Sequence, residues 1–92
     1  MIIQGDIYRL TPVCEHAHDF DMELLYDIGG KNPRQEFKNV AYGVSLERAI
    51  KKIIMYSLSK KFKDEVITLK QYLNAYKEES DKIRSELKSY LG

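Results

Sequence analysis

The chain has 92 residues, 43% hydrophobic and 32% charged, with 15 Lys and Arg against 14 Asp and Glu for a formal charge of +1. That length supports one modest core, and the proportions are those of a globular chain rather than a disordered, collagenous or low-complexity one. A near-neutral total removes net charge as an argument for nucleic acid or membrane, and the single cysteine, Cys14, excludes an intrachain disulfide.

The charge is unevenly laid out. Residues 1–30 hold six acids and one base, residues 31–63 nine bases and two acids, and residues 64–92 six acids and five bases. The first part is therefore acidic and the second basic. The N-terminal MIIQGDIYRL has neither a basic n-region nor a long apolar run, and no stretch approaches 18 consecutive apolar residues. No signal peptide, no membrane contact and a cytoplasmic setting are expected.

Two periodicities divide the sequence at about residue 44. Before it the pattern is strand-like, and after it helical. GDIYRLTPV, residues 5–13, alternates, with Ile7 and Arg9 on one face and Tyr8 and Leu10 on the other. In FDMELLYDI, Phe20, Met22, Leu24, Tyr26 and Ile28 fall at even spacing with acids between them, Leu25 excepted, the pattern of a half-buried strand. GGKNPR is turn chemistry, and QEFKNVAYGV gives a third short strand carrying Phe37, Val40 and Tyr42.

Ser45 is a good N-cap, with Glu47 suited to the first turn. Leu46, Ala49, Ile50, Ile53, Ile54, Leu58 and Phe62 then recur at helical spacing. Thr68 and Gln71 form a T-x-x-Q capping box for a second helix running to about Tyr90. Along it Leu69, Leu73, Tyr76, Ser80, Ile83, Leu87 and Tyr90 alternate steps of four and three, a heptad. The second helix outruns the first. Its first half is expected to pack on the first helix, and its second half either to fold back on the sheet or to meet another chain. The fold class expected is α+β, one domain over 1–92, with a three-stranded antiparallel sheet (1–44) followed by a two-helix hairpin (45–91). The expected core is Ile7, Phe20, Met22, Leu24, Tyr26, Phe37, Leu46, Ile50, Ile53, Ile54, Leu58, Leu69, Leu73 and Tyr76.

Four groups of residues could carry function. Cys14, His16, His18 and Asp21, in the run CEHAHDFD, are competent zinc ligands, and two histidines at i, i+2 share one side of an extended chain. The simpler reading of that run is a polar loop joining two strands, with no cofactor. Asp19, Asp21, Glu23 and Asp27 line the polar side of a strand. They either deter edge pairing or face a cationic partner. Lys51, Lys52, Lys60, Lys61 and Lys63 form a solvated basic face that could track phosphates, though the stretch lacks the interleaved aromatics of single-strand binders. Tyr76, Ile83, Leu87 and Tyr90 are the seam of the second helix and would pair two copies of the chain or take a partner. No GxGxxG, GxxxxGK[ST] or GxSxG motif is present, so no enzyme activity is expected.

The order GGKNP, QEFKNVAYGV, SLERAI, TLKQYL and a charged helix resembles a family of short uncharacterised proteins from phages and prophages of Gram-positive bacteria. The likeness covers about residues 18–91 and is most specific at AYGVSLERAI. The CEHAHDFD loop is not part of it. The resemblance implies a small accessory or inhibitory protein of a mobile element, working in the host cytoplasm, and brings no catalytic residues. The reading that results is a non-catalytic module whose partner is a host protein or a second copy of the chain. Nucleic-acid binding through the basic helix and a zinc-binding domain are the alternatives.

Overall fold

A computed structural model describes residues 2–14 and 18–91, with side chains through residue 87. It is an α+β fold: β1 (Ile3–Gln4), β2 (Tyr8–Pro12), β3 (Asp19–Ile28), β4 (Arg34–Ser45), α1 (Leu46–Lys61) and α2 (Leu69–Leu91). The four strands form one sheet in the order β1-β2-β3-β4, every neighbour antiparallel. Three strands were expected, and the fourth is β1. It has two residues, too few to show a period of two, so its alternation could not be read. The chain divides into two compact units, Met1–Ala49 and Ile50–Gly92, a boundary that falls inside α1.

In the sheet unit, β3 sets the faces. Phe20, Met22 and Leu24 are buried, as their spacing predicts. Tyr8 lies opposite Leu24 and Leu10 opposite Met22, and opposed residues share a face. Tyr8 and Leu10 are therefore buried, and Ile3 joins them opposite Leu10. Ile7, expected in the core, is half-buried. It ends the turn before β2, where the Gly5 amide donates to the Tyr8 carbonyl at 3.0 Å. The same turn seats the Tyr8 ring against Gly5, so a β-carbon on Gly5 would clash with the ring.

β4 does not keep one alternation. Glu23 pairs with Asn39 but Met22 with Ala41, and Phe20 with Val44, so β4 carries extra residues at two places. These are β-bulges, and each changes which face the following residues occupy. Gly43 sits in the second with φ of 60°, a left-handed conformation that suits glycine, and its amide donates to Asp21 Oδ1 at 3.1 Å. Val44 is buried as a result. Phe37, expected in the core, pairs with Leu25 on the opposite face. There the Arg9 guanidinium lies 4.2 Å from its ring centre, a cation–π contact.

In the helical unit, the buried stripe of α1 is Ile50, Ile53, Ile54 and Leu58, preceded by Ala49. The Arg48 amide donates to Ser45 Oγ at 3.3 Å, the expected N-cap. Asp64, with φ of 63°, turns the chain after α1. Thr68 and Gln71 form the expected capping box in both directions, Gln71 N–H to Thr68 Oγ1 at 3.1 Å and Thr68 N–H to Gln71 Oε1 at 2.8 Å.

The covered end of α2 differs from the expectation. Its second half is the buried one: Ile83 is 3% and Leu87 1% exposed, with Ala75 also buried. Leu69 and Leu73, expected in the core, are 73% and 56% exposed. The Ser57 hydroxyl donates to the Glu79 carboxylate at 3.1 Å, which fixes the level at which the helices meet. That level is four residues before the end of α1 and ten into α2. The first turns of α2 therefore run about 9 Å past the end of α1. The helix overhangs at its start rather than at its end. Tyr26, Leu46 and Tyr76, also expected in the core, are half-buried.

Two predictions follow from this packing. Gly5→Ala must displace the buried Tyr8 ring and lowers unfolding stability by about 1–3 kcal/mol. Gly29→Ala, with nothing within 4 Å, changes it by less than about 1 kcal/mol. Equal effects in denaturant titration would contradict the turn. Leu87→Ala costs about 2–5 kcal/mol, while Leu73→Ala stays within about 0.5 kcal/mol; the reverse order would show that the first half of α2 is the covered one.

Candidate functional site

The acidic residues stand where the alternation puts them. Asp19, Asp21, Glu23 and Asp27 lie on the face of β3 opposite Phe20, Met22 and Leu24. Three of them have partners within the chain. Glu23 Oε2 is 3.4 Å from Arg9 Nη1, Asp21 accepts the Gly43 amide, and Asp27 Oδ1 accepts Gln35 Nε2 at 3.0 Å. These carboxylates hold neighbouring strands to β3, and a partner would have to compete for them.

The basic residues are exposed but do not form one track. Lys51 and Lys52 lie early in α1, and Lys60 and Lys61 in its last turn, with Lys63 in the turn that follows. The two groups on the helix stand about 13 Å apart along its axis. Cations in a last turn also complement the helix dipole. Lys60 Nζ sits 5.2 Å from the Tyr56 ring centre and Lys61 Nζ 5.5 Å from that of Phe62.

Of the zinc candidates, Cys14 and His18 are exposed, Asp21 is bound to Gly43, and His16 lies outside the described residues. Among the described residues, no group of three His, Cys, Asp or Glu side chains could hold a metal ion.

The expected seam of α2 is corrected by its burial. Ile83 and Leu87 are enclosed and present no surface to a partner. Tyr76 is half-buried, its ring centre 6.3 Å from that of Tyr72. The Tyr90 side chain lies outside the described residues.

What replaces the seam is the opposite end of the same heptad. Val66, in the connection, is fully exposed, and Leu69 and Leu73 follow it at three and four residues. Leu69 and Leu73 are helical neighbours, so the two form an apolar ledge on the start of α2, with Val66 exposed in the connection before it. Lys70 and Lys77, both exposed, run along one flank of it. The capping box fixes where the helix begins and thereby sets the orientation of Leu69 and Leu73. The heptad already contained both leucines. Only the level at which α1 ends against α2 shows that they are uncovered.

No helix among the described residues is long and apolar enough to cross a membrane. No family model, no curated protein and no solved structure matches this chain.

Thr68→Ala removes one arm of the box and costs about 1 kcal/mol in thermal or chemical unfolding. An unchanged midpoint would show that the start of α2 is not held this way.

Proposed function

We propose that this chain is a non-catalytic protein-binding module, an adaptor or inhibitor that takes an acidic amphipathic segment of its partner on the start of α2. The observation that carries this reading is the exposure of Val66, Leu69 and Leu73 beside Lys70 and Lys77. Two leucines one helical turn apart are the anchors an amphipathic segment requires. Cations on their flank favour acids at the rim of that segment and discourage a second copy laid antiparallel along the same face, since Lys70 and Lys77 would then oppose their own counterparts. A setting in the host cytoplasm belongs to the same proposal and rests only on the likeness of the sequence of residues 18–91 to short phage proteins. Nucleic-acid binding through Lys51, Lys52, Lys60, Lys61 and Lys63 remains the second reading, and it rests on the exposure of all five.

The test is anisotropy of the purified chain against two labelled probes. One is a helical peptide with Leu at i and i+4 flanked by Glu, and the other is a DNA duplex. The expected result is peptide binding that weakens at least about tenfold in the Leu69→Ser/Leu73→Ser double variant, whose folding is preserved because both residues are exposed. Peptide binding that is absent, or equal in the variant, overturns the ledge. DNA binding whose log affinity falls with log salt at a slope near −4 moves the function to the basic helix, with about four to five phosphate contacts.

A further inference from the structure

β4 is the outer strand of an open sheet. It pairs with β3 on one side, and no strand among the described residues pairs with its other side. It is also the longest strand, 12 residues. An edge of that length presents a row of backbone donors and acceptors that another strand can use. The bulges confine the regular part to Arg34–Asn39, because the register breaks beyond it.

The side chains of that regular part complement a copy of themselves turned about a two-fold axis. Arg34, Glu36 and Lys38 lie opposite Ile28, Tyr26 and Leu24 and share one face. Gln35, Phe37 and Asn39 lie on the other, opposite Asp27, Leu25 and Glu23. Two copies of β4 related by a two-fold axis normal to the sheet must pair antiparallel with one residue on the axis. With Glu36 on the axis, Glu36 meets Glu36 and Arg34 meets Lys38. With Lys38 on the axis, Lys38 meets itself. With Gln35 on the axis, Phe37 is set against Pro33 and the ladder runs into the Gly29–Pro33 turn. With Phe37 on the axis, Glu36 meets Lys38 of the second copy twice over, Gln35 meets Asn39, and the two Phe37 rings meet as a cross-strand aromatic pair. All of Arg34, Gln35, Glu36, Lys38 and Asn39 are exposed, and Phe37 is half-buried beneath Arg9.

We propose that the occupant of this edge is a second copy of the chain, paired β4 to β4 about a two-fold axis at Phe37, so that two four-stranded sheets become one of eight strands. Lys38 taken singly would guard an edge against pairing. Two residues from Glu36 on the same face, it becomes half of a self-complementary pattern instead. Glu36 already holds Arg34 Nη2 at 3.4 Å in an exposed pair, so in the dimer its carboxylate lies between two cations. This edge belongs to the sheet unit and is independent of the ledge on α2, so the two proposals stand or fall separately.

The experiment is light scattering behind size-exclusion chromatography, from micromolar to millimolar protein, on the intact chain, on Glu36→Lys, on Lys38→Glu, and on an equimolar mixture of the two variants. Glu36→Lys leaves this face wholly cationic, and Lys38→Glu sets acids against each other across the axis. Each variant alone should dissociate at least about tenfold more readily than the unmodified chain. The mixture should recover the dimer, because positions 36 and 38 then meet with opposite signs at both contacts. Circular dichroism melts of the separate variants should match the monomeric protein, both side chains being exposed. A chain that stays monomeric throughout overturns the proposal. So does a dimer that neither variant weakens, which would use another surface, or a mixture that stays monomeric, which would show a different register.

Discussion

The hydrogen-bonded ladder that β3 makes with β2 and β4 is the constraint from which the sheet unit follows. Ten residues long and central, β3 carries Phe20, Met22 and Leu24 on one face and Asp19, Asp21 and Glu23 on the other. A one-residue slip of either neighbour would reverse that neighbour's faces. The observed register puts Tyr8 and Leu10 with the apolar residues, and Arg9 with Glu23 and Phe37. Each of the larger buried side chains in this set contributes about 1.5–3 kcal/mol by leaving water. The part-buried Arg9–Glu23 pair, at 3.4 Å, contributes about 1 kcal/mol or less. Apolar burial therefore decides the register, and the charged contacts on the other face follow from it.

Function is constrained by the same division. The carboxylates of β3 look like a docking face in isolation, but Asp21, Glu23 and Asp27 each hold a group from an adjacent strand. Among the groups left facing solvent are Leu69 and Leu73 at the start of α2, and the regular stretch of β4 at the sheet edge. Leu69 and Leu73 stand on an uncovered part of a regular helix, and β4 has a described strand neighbour on one side only. That is a general way for a small domain, with little interior to spare, to present apolar or backbone groups to a partner.

Much of this was legible in the sequence, and the rest was hidden for physical reasons. The alternation of FDMELLYDI located β3 and its buried face. Ser45, Thr68 and Gln71 located both helix starts, because a cap is a local hydrogen bond between residues close in sequence. Non-local features were not readable. β1 is too short for any period. Phe37 looked like core because an aromatic in a strand usually is, and only its pairing with Leu25 shows the other face. The bulges near Val40 and Gly43 shift the alternation of QEFKNVAYGV halfway along. The heptad of α2 named the right residues in Leu69, Leu73, Ile83 and Leu87. Which end of a heptad is covered depends on where the other helix stops, which no spacing records. Ile83 and Leu87, for which folding back and meeting another chain are both open in the sequence, are therefore buried, and Leu69 and Leu73 are exposed.

The register of β3 can be tested by thiol labelling. In a Cys14→Ser background, single substitutions Asp21→Cys, Met22→Cys, Glu23→Cys and Leu24→Cys report the face of each position through its rate of maleimide modification. Alternation is expected, with positions 21 and 23 labelling at least about tenfold faster than 22 and 24, since modification of an enclosed thiol requires opening of the fold. Equal rates at all four positions, or fast labelling at 22 and 24, would contradict it.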